Sequence, residues 1–384
     1  MQGRVTLSIF SYLVVLGGLA FYSYGFVDPN LVFSTHPFYH ALNEPLFQVV
    51  FFNRPLSTAI FALLVLLLFS FYILLLRKKF GWVQLRKIVI LSTAVLLFSY
   101  PAFSHDIFNY IFTAKIAFFY RENPYIVMPI EFGSDPNLAF TRAANKVALY
   151  GPSWIALTIL PHLLGFGNTV ATIFSFKLLT TAFFIGTVLL IYLITKNIYS
   201  VTLFALNPLV TIETLVSSHN DIVMMFFALL AFYFLKRRIF IHSFLALLAS
   251  ILIKYATVAL LPVFGYTVYL TIKKKKINWD RVYIVATLSM LIAFLTAPFR
   301  EEFYPWYVVW MVAFAVLTPQ KKFLLSFVLA LSFGSLLRYV PVLYTGSYFG
   351  ITPMVKEILM ATPVIAVGMF WLTRGVQGTF RNGK

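Results

Sequence analysis

Cysteine is absent from this 384-residue chain. That excludes disulfides, thiol nucleophiles and thiolate metal sites together. Charge is scarce too: 11% of residues are Asp, Glu, Lys or Arg, and only 12 of those are acidic against 30 basic. Polar surface sufficient to coat a soluble domain is missing, because 61% of the residues are hydrophobic. The first apolar run, residues 5–24 after Arg4, has no clear small-x-small cleavage site. It reads as a retained first span rather than a removed signal peptide. No internal repeat of the inverted transporter kind is visible.

What is present is apolar run after apolar run. A span needs about 20 apolar residues, and candidates occupy 5–24, 56–76, 88–103, 168–195, 198–216, 219–235, 239–256, 257–272, 281–298, 303–318, 322–339 and 353–373. The expected fold is an all-α, polytopic transmembrane helix bundle of about 11–13 spans, forming a single integral membrane domain over residues 1–384. The 43 Phe and 22 Tyr suit lipid-facing surface and interfacial belts. Residues 150–165 are apolar but broken by Pro152, Pro161 and Gly165. They read as a re-entrant or half-buried segment packed on protein, where interrupted backbone is tolerated at depth.

The net charge of +18 falls in short clusters between runs: Arg77 to Lys79, Arg86-Lys87, Lys236 to Arg238, Lys273 to Lys276 and Lys321-Lys322. Nucleic acid is not the implied partner; the pattern is that of positive-inside loops. With 150–165 not crossing, these clusters, Arg4 and the tail (Arg374, Arg381, Lys384) share one side. Both termini are then cytoplasmic, and the loops at roughly 25–55 and 104–150 face outward.

The other polar residues gather on that outer side. They include Asp106, His219-Asn220-Asp221, Lys254-Tyr255, Arg300-Glu301-Glu302, Arg338 and, in the large loop, Arg121, Arg142 and Lys146. Positive charge that breaks the positive-inside rule needs a partner, and phosphate is a natural one. A phosphate at the outer interface with a long apolar tail describes a polyprenyl phosphate. Asp106, Asn109, Tyr110 and Thr113 recur at i, i+3, i+4 and i+7. One helical face carries them, as in an interfacial helix whose polar face meets a cavity.

The motifs Ser104-His105-Asp106-Ile107-Phe108-Asn109-Tyr110, Glu122-Asn123-Pro124-Tyr125 and Tyr150-Gly151-Pro152 resemble the first outer loop of GT-C glycosyltransferases. Within that superfamily the chain is most similar to polyprenyl-phosphate-mannose-dependent mannosyltransferases. Asn207-Pro208, His219-Asn220-Asp221, Ile253-Lys254-Tyr255 and Tyr304-Pro305-Trp306-Tyr307 continue the resemblance in order. It spans roughly residues 95–315 and is looser beyond.

The resemblance implies an inverting membrane enzyme of the cell envelope. It would move a hexose, mannose by the resemblance, from a lipid phosphate to a glycan, lipid or protein acceptor outside the cytoplasm. It implies Asp106 as general base on the acceptor hydroxyl, chemistry that a carboxylate within hydrogen-bond reach can do. Lys254, Arg300 and Arg338 are candidates for the donor phosphate, whose charge grows as it leaves. His105, Asn109, Tyr110, Tyr150, His219, Asn220, Asp221 and Trp306 are candidates for sugar or acceptor contact.

Each of these residues also has a structural reading. Asp106 or Ser104 could cap the interfacial helix, and Ser218-x-x-Asp221 has the outline of a capping box. Lys254 could snorkel to headgroups. Tyr304 to Tyr307 could be an interfacial belt. Glu213, within a span, needs a partner such as Lys254 or Lys177. No cofactor is expected. Metal ligation by His219 is disfavoured because no His or carboxylate stands at i+3 or i+4, although Asp106 with Asp221, or Glu301-Glu302, could offer oxygens to a divalent ion. The rival functions are a transporter or flippase of lipid-linked sugars, since intramembrane charge also marks transport paths, and an outer-facing glycan ligase or polymerase.

Overall fold

The computed structural model describes residues 2–299 and 301–382. Arg300, one of the expected phosphate ligands, and Lys384 of the basic tail lie outside the described residues. Those residues form helices and loops, with no β-strand among them. Among the described residues, seven helices are long and apolar enough to cross a bilayer: Leu7–Phe26, Arg54–Leu76, Thr169–Thr195, Tyr255–Ile272, Trp279–Phe299, Lys322–Thr345 and Thr352–Arg374. An eighth crossing is a bent pair, Ile198–Ala205 and Pro208–Val216, angled at 56°.

The remaining expected runs form shorter helices. They are Trp82–Leu97, Asp221–Lys236, Phe240–Ile251 and the segment Pro305–Ala315. A 16-residue helix is about 24 Å long, short of a hydrocarbon core of about 30 Å. Burial explains why some can be short. Residues 200–225 and 308–318 are buried without interruption, so these segments meet protein instead of lipid and need not match bilayer thickness. Exposed apolar side chains lie on the outer helices instead, among them Leu63, Leu66, Ile73, Leu288, Ile292, Ile365 and Met369.

Asparagine starts many of these helices. Asn53, Asn168, Asn197, Asn207 and Asn278 each accept a backbone N–H of the first turn that follows, satisfying donors that would otherwise be stranded. Asn207 does this with Pro208 at the first helical position. The Asn-Pro motif thus restarts the bent helix after its break.

In chain order, basic clusters and the candidate site residues occupy alternate helix ends. The helix ending at Leu76 meets Arg77 to Lys79, and the one ending at Leu97 leads to Asp106. Asp221–Lys236 ends on Lys236 to Arg238, and Phe240–Ile251 leads back to Lys254.

The expected helix forms at Asp106–Lys115, but Ile107–Ala114 are all buried, so both of its faces are covered by protein. The loop that follows folds back over it. Asp135 pairs with Lys115 at 2.6 Å and accepts from the Tyr120 hydroxyl at 2.6 Å, and the Ala143 N–H donates to Asn109 Oδ1 at 3.2 Å. Residues 150–165 form two short helices, Pro152–Leu157 and Ile159–Leu164, that meet at Thr158. The segment docks through backbone. Gly151 N–H donates to the Ile253 carbonyl (3.1 Å) and Ser153 N–H to the Leu252 carbonyl (2.9 Å). A Cβ at position 151 would run into the Leu252 carbonyl, so glycine permits the approach. This contact brings Tyr150 and Lys254 to one cavity.

Candidate active site

Asp106 lies in the first turn of its helix without capping it. Ser104 Oγ accepts the Asp106 N–H at 3.1 Å, which leaves the carboxylate free to face His219. Asp106 Oδ2 is 3.4 Å from His219 Nδ1, and His219 Nε2 is 3.4 Å from Glu213 Oε2. Tyr339 donates to Glu213 Oε1 at 3.0 Å. His219 and Glu213 are fully buried, while the Asp106 side chain is 26% exposed. Trp306 stacks on the imidazole with centroids 3.8 Å apart, and Tyr304 stacks on Trp306 at 4.4 Å.

A second carboxylate has different company. Asp221 accepts from Lys254 Nζ at 3.1 Å on both oxygens and from Trp310 Nε1 at 2.5 Å. The Lys254 ammonium also lies 4.8 Å above the Tyr307 ring, a cation–π contact. The expected capping box is not formed: Asn220 holds the cap position without a side-chain bond. Asp221 is instead taken by Lys254 and Trp310. Lys254 therefore does more than snorkel.

Glu213 and Asp221 belong to helical segments joined by the turn 217–220. Tyr110, from the Asp106 helix, accepts the Asn220 N–H at 3.3 Å. Lys177 donates to the Leu215 and Val216 carbonyls (2.6 and 3.0 Å) and to Ser99 Oγ (3.1 Å), binding carbonyls at the end of the preceding helix. It is not the partner of Glu213, and neither is Lys254. Tyr339 and His219 occupy that place. Ser218, at φ 59°, gives the turn its left-handed step.

A cavity of about 880 Å³ opens beside Asp106. One part of its wall carries Arg142, Lys146 and Lys254, another the rings of Tyr150, Tyr304, Trp306, Tyr307 and Trp310, and a third the apolar Val258, Ala259, Ile292 and Phe299. The aromatic run at 304–307 thus lines the cavity rather than forming only a belt. Burial pushes the Asp106 carboxyl upward, but the nearby His219, with Lys254 and His105, outweighs it and holds the group below its ordinary range.

The cavity brings together Asp106, Asn109, Tyr150, Lys254 and Trp306 from the expected set. His219, Asn220 and Asp221 lie buried immediately behind it. His105 is exposed at the helix start. Arg338 is elsewhere: its guanidinium binds Glu357 at 2.8 Å and Glu302 at 3.3 Å, and Lys356 shares Glu302. Sequence reasoning noted Arg142 and Lys146 only as loop charges, and it missed Trp310. The signal for Trp310 was its i+3 and i+4 spacing from Tyr307 and Trp306, which puts all three rings on one helical side. Among the described residues, no group of three or more His, Asp or Glu side chains is arranged to hold a metal ion.

Among curated proteins and among solved structures, no match was found. Residues 12–270, two thirds of the chain, match the family model described as "Alpha-(1->6)-mannopyranosyltransferase, N-terminal domain". The chain belongs to that family of mannosyltransferases.

Proposed function

We propose that this member of the alpha-(1->6)-mannopyranosyltransferase family is a GT-C-type enzyme. It transfers mannose from a polyprenyl-phosphate sugar to an acceptor hydroxyl on the non-cytoplasmic membrane face. The observation that carries this reading is the cavity itself. It joins one partly exposed carboxylate to a cationic wall and an apolar wall within about 880 Å³, a lining that suits a sugar phosphate with a hydrocarbon tail.

In the proposed step, the acceptor oxygen attacks the anomeric carbon as its proton passes to Asp106. The bond from that carbon to the phosphate oxygen breaks, and polyprenyl phosphate leaves with the electron pair, inverting the centre. Transition-state charge is positive on the sugar and grows on the phosphate. Lys254, Arg142 and Lys146 supply the opposing charge. Arg338, already held by Glu302 and Glu357, acts at most from a distance. Asp106 is ionised at neutral pH because its carboxyl is held low, so it is ready to take a proton. The sidedness in this reading is supported by the basic clusters between helices, and with it both termini are cytoplasmic.

The test is to incubate purified protein with polyprenyl-phosphate mannose and a short α-1,6-mannoside, and to measure released polyprenyl phosphate. Wild type is expected to release it and to extend the mannoside. Asp106→Asn is expected to lose about 100- to 10,000-fold in rate with normal membrane insertion. Movement of the lipid across vesicles without release would replace transfer with transport, and near-normal turnover by the Asn variant would remove Asp106 as base. Because the chain has no native cysteine, Lys146→Cys gives a clean sidedness probe: an impermeant maleimide applied from outside should label it.

A further inference from the structure

We infer that His219 and Glu213 form a buried positioning relay behind Asp106, in which Glu213 fixes the imidazole tautomer and the imidazole holds one carboxylate oxygen in place. This rests on the reading of Asp106 as general base. His219 and Glu213 do not touch the reacting atoms. They act through Asp106.

Tyr339, Glu213, His219 and Asp106 stand in one line of side chains. Tyr339 O–H points at Glu213 Oε1, Glu213 Oε2 faces His219 Nε2, and His219 Nδ1 faces Asp106 Oδ2. A neutral imidazole has one N–H and one acceptor nitrogen. Asp106, as the base, must be ionised and can only accept. The hydrogen therefore sits on Nδ1, leaving Nε2 as an acceptor. Nε2 then needs a donor, and the Glu213 carboxyl faces it at 3.4 Å. A carboxylic acid there completes the chain.

The surroundings favour that acid form. Glu213 is fully buried, and the two nearby lysines are engaged elsewhere, Lys177 by carbonyls and Lys254 by Asp221. An ionised Glu213 would be a buried charge with neither lysine to pair it, and Asp221 and Asp106 would add repulsion. Every donor then points the same way, from Tyr339 toward Asp106. The separations of 3.4 Å on each side of the ring exceed a formed N–H···O bond of about 2.7–3.2 Å. Catalytic hydrogen bonds are commonly long in a free enzyme and tighten with substrate.

Binding through Oδ2 leaves Oδ1 for the acceptor hydroxyl and fixes its direction. The ring cannot swing away, because Trp306 covers its face. The second consequence concerns pH. Asp106 is faced by His219, Lys254 and His105, and all three hold its carboxyl down. Transfer should be level through neutral pH and fall as acid protonates Asp106, below the ordinary carboxylate value of about 3.9. Without the His219 donor that limb moves to higher pH.

Nitrogen-15 NMR of histidine-labelled protein in nanodiscs tests the tautomer directly. His219 is assigned by difference against His219→Asn. A neutral ring with hydrogen on Nδ1 at pH 7 is expected; an Nε2–H tautomer or an imidazolium would overturn the inference. Kinetics give a second readout with polyprenyl-phosphate mannose as donor. Glu213→Gln keeps a donor toward Nε2 and should stay within about threefold of wild type. Glu213→Met removes it and should lower kcat about tenfold, with KM unchanged and the acid limb raised. His219→Asn, whose amide can take the place of Nδ1–H, should exceed His219→Gln. Equal loss in both Glu213 variants, or an unmoved acid limb in Glu213→Met, would reject the relay. An active Asp106→Asn would instead reject the base assignment, so the two failures are distinguishable.

Discussion

Asp106 and Asp221 lie near the same cavity and have opposite surroundings. Asp221 is fully buried, and its oxygens accept from an ammonium and an indole. Asp106 is a quarter exposed, and an imidazole nitrogen lies 3.4 Å from one of its oxygens. A buried carboxylate bound by strong donors on both oxygens does not offer an open, basic oxygen to an incoming hydroxyl. One bound loosely on one side does. The comparison separates an acid that builds the site from an acid that can do chemistry in it, a distinction residue type alone does not make.

The largest expected effect breaks that comparison kinetically. Asp106→Asn should lose transfer by the full factor given above while its melting temperature in detergent stays within a few degrees of wild type. Asp221→Asn should do the reverse, keeping measurable turnover while losing stability. Comparable kinetic loss in both variants, at equal stability, would erase the division of labour.

The next effect sharpens the structural half. Lys254→Met leaves Asp221 charged, buried and held by Trp310 alone; breaking a buried pair from one side costs about 3–5 kcal/mol. Asp221→Asn leaves an ammonium that is 19% exposed and can turn to cavity water, so about 1–2 kcal/mol is expected. The double variant should be more stable than Lys254→Met alone, because no charge is stranded. Thermal melts of the three variants check the order. Additive losses would mean that the pair is not coupled.

Much of this was legible in the sequence, for identifiable reasons. Helical class and the seven long spans follow from runs such as Arg54–Leu76, where nearly every side chain is apolar. Asp106, Lys254 and Trp306 stood out because polar groups at helix ends in so apolar a chain are rare. Pairing was not legible. Glu213 and Lys177 look like natural partners from composition, yet Lys177 turns to backbone carbonyls at the end of the helix that contains Glu213. That depends on where that helix ends, which apolar periodicity does not mark. Nor does hydropathy show which runs are interior. Residues 308–318 are as apolar as a lipid-facing span, but they are wrapped by protein and are correspondingly short.

The smallest expected effect concerns the cations, and it extends the same contrast to positive charge. Arg338 is 2% exposed and held by two carboxylates, much as Asp221 is held by Lys254. Arg142 and Lys146 line the cavity without an ion pair among the described residues, and like Asp106 they keep their capacity free. Arg142→Ala should therefore raise KM for polyprenyl-phosphate mannose about three- to tenfold with kcat little changed, the signature of lost uniform binding. The effect should shrink as salt is raised, since exposed charges are screened over about 10 Å at 0.1 M. Arg338→Met should leave KM where it was and lower the melting temperature instead. A KM rise confined to Arg338→Met would move the phosphate away from the cavity wall and toward the Glu302 cluster.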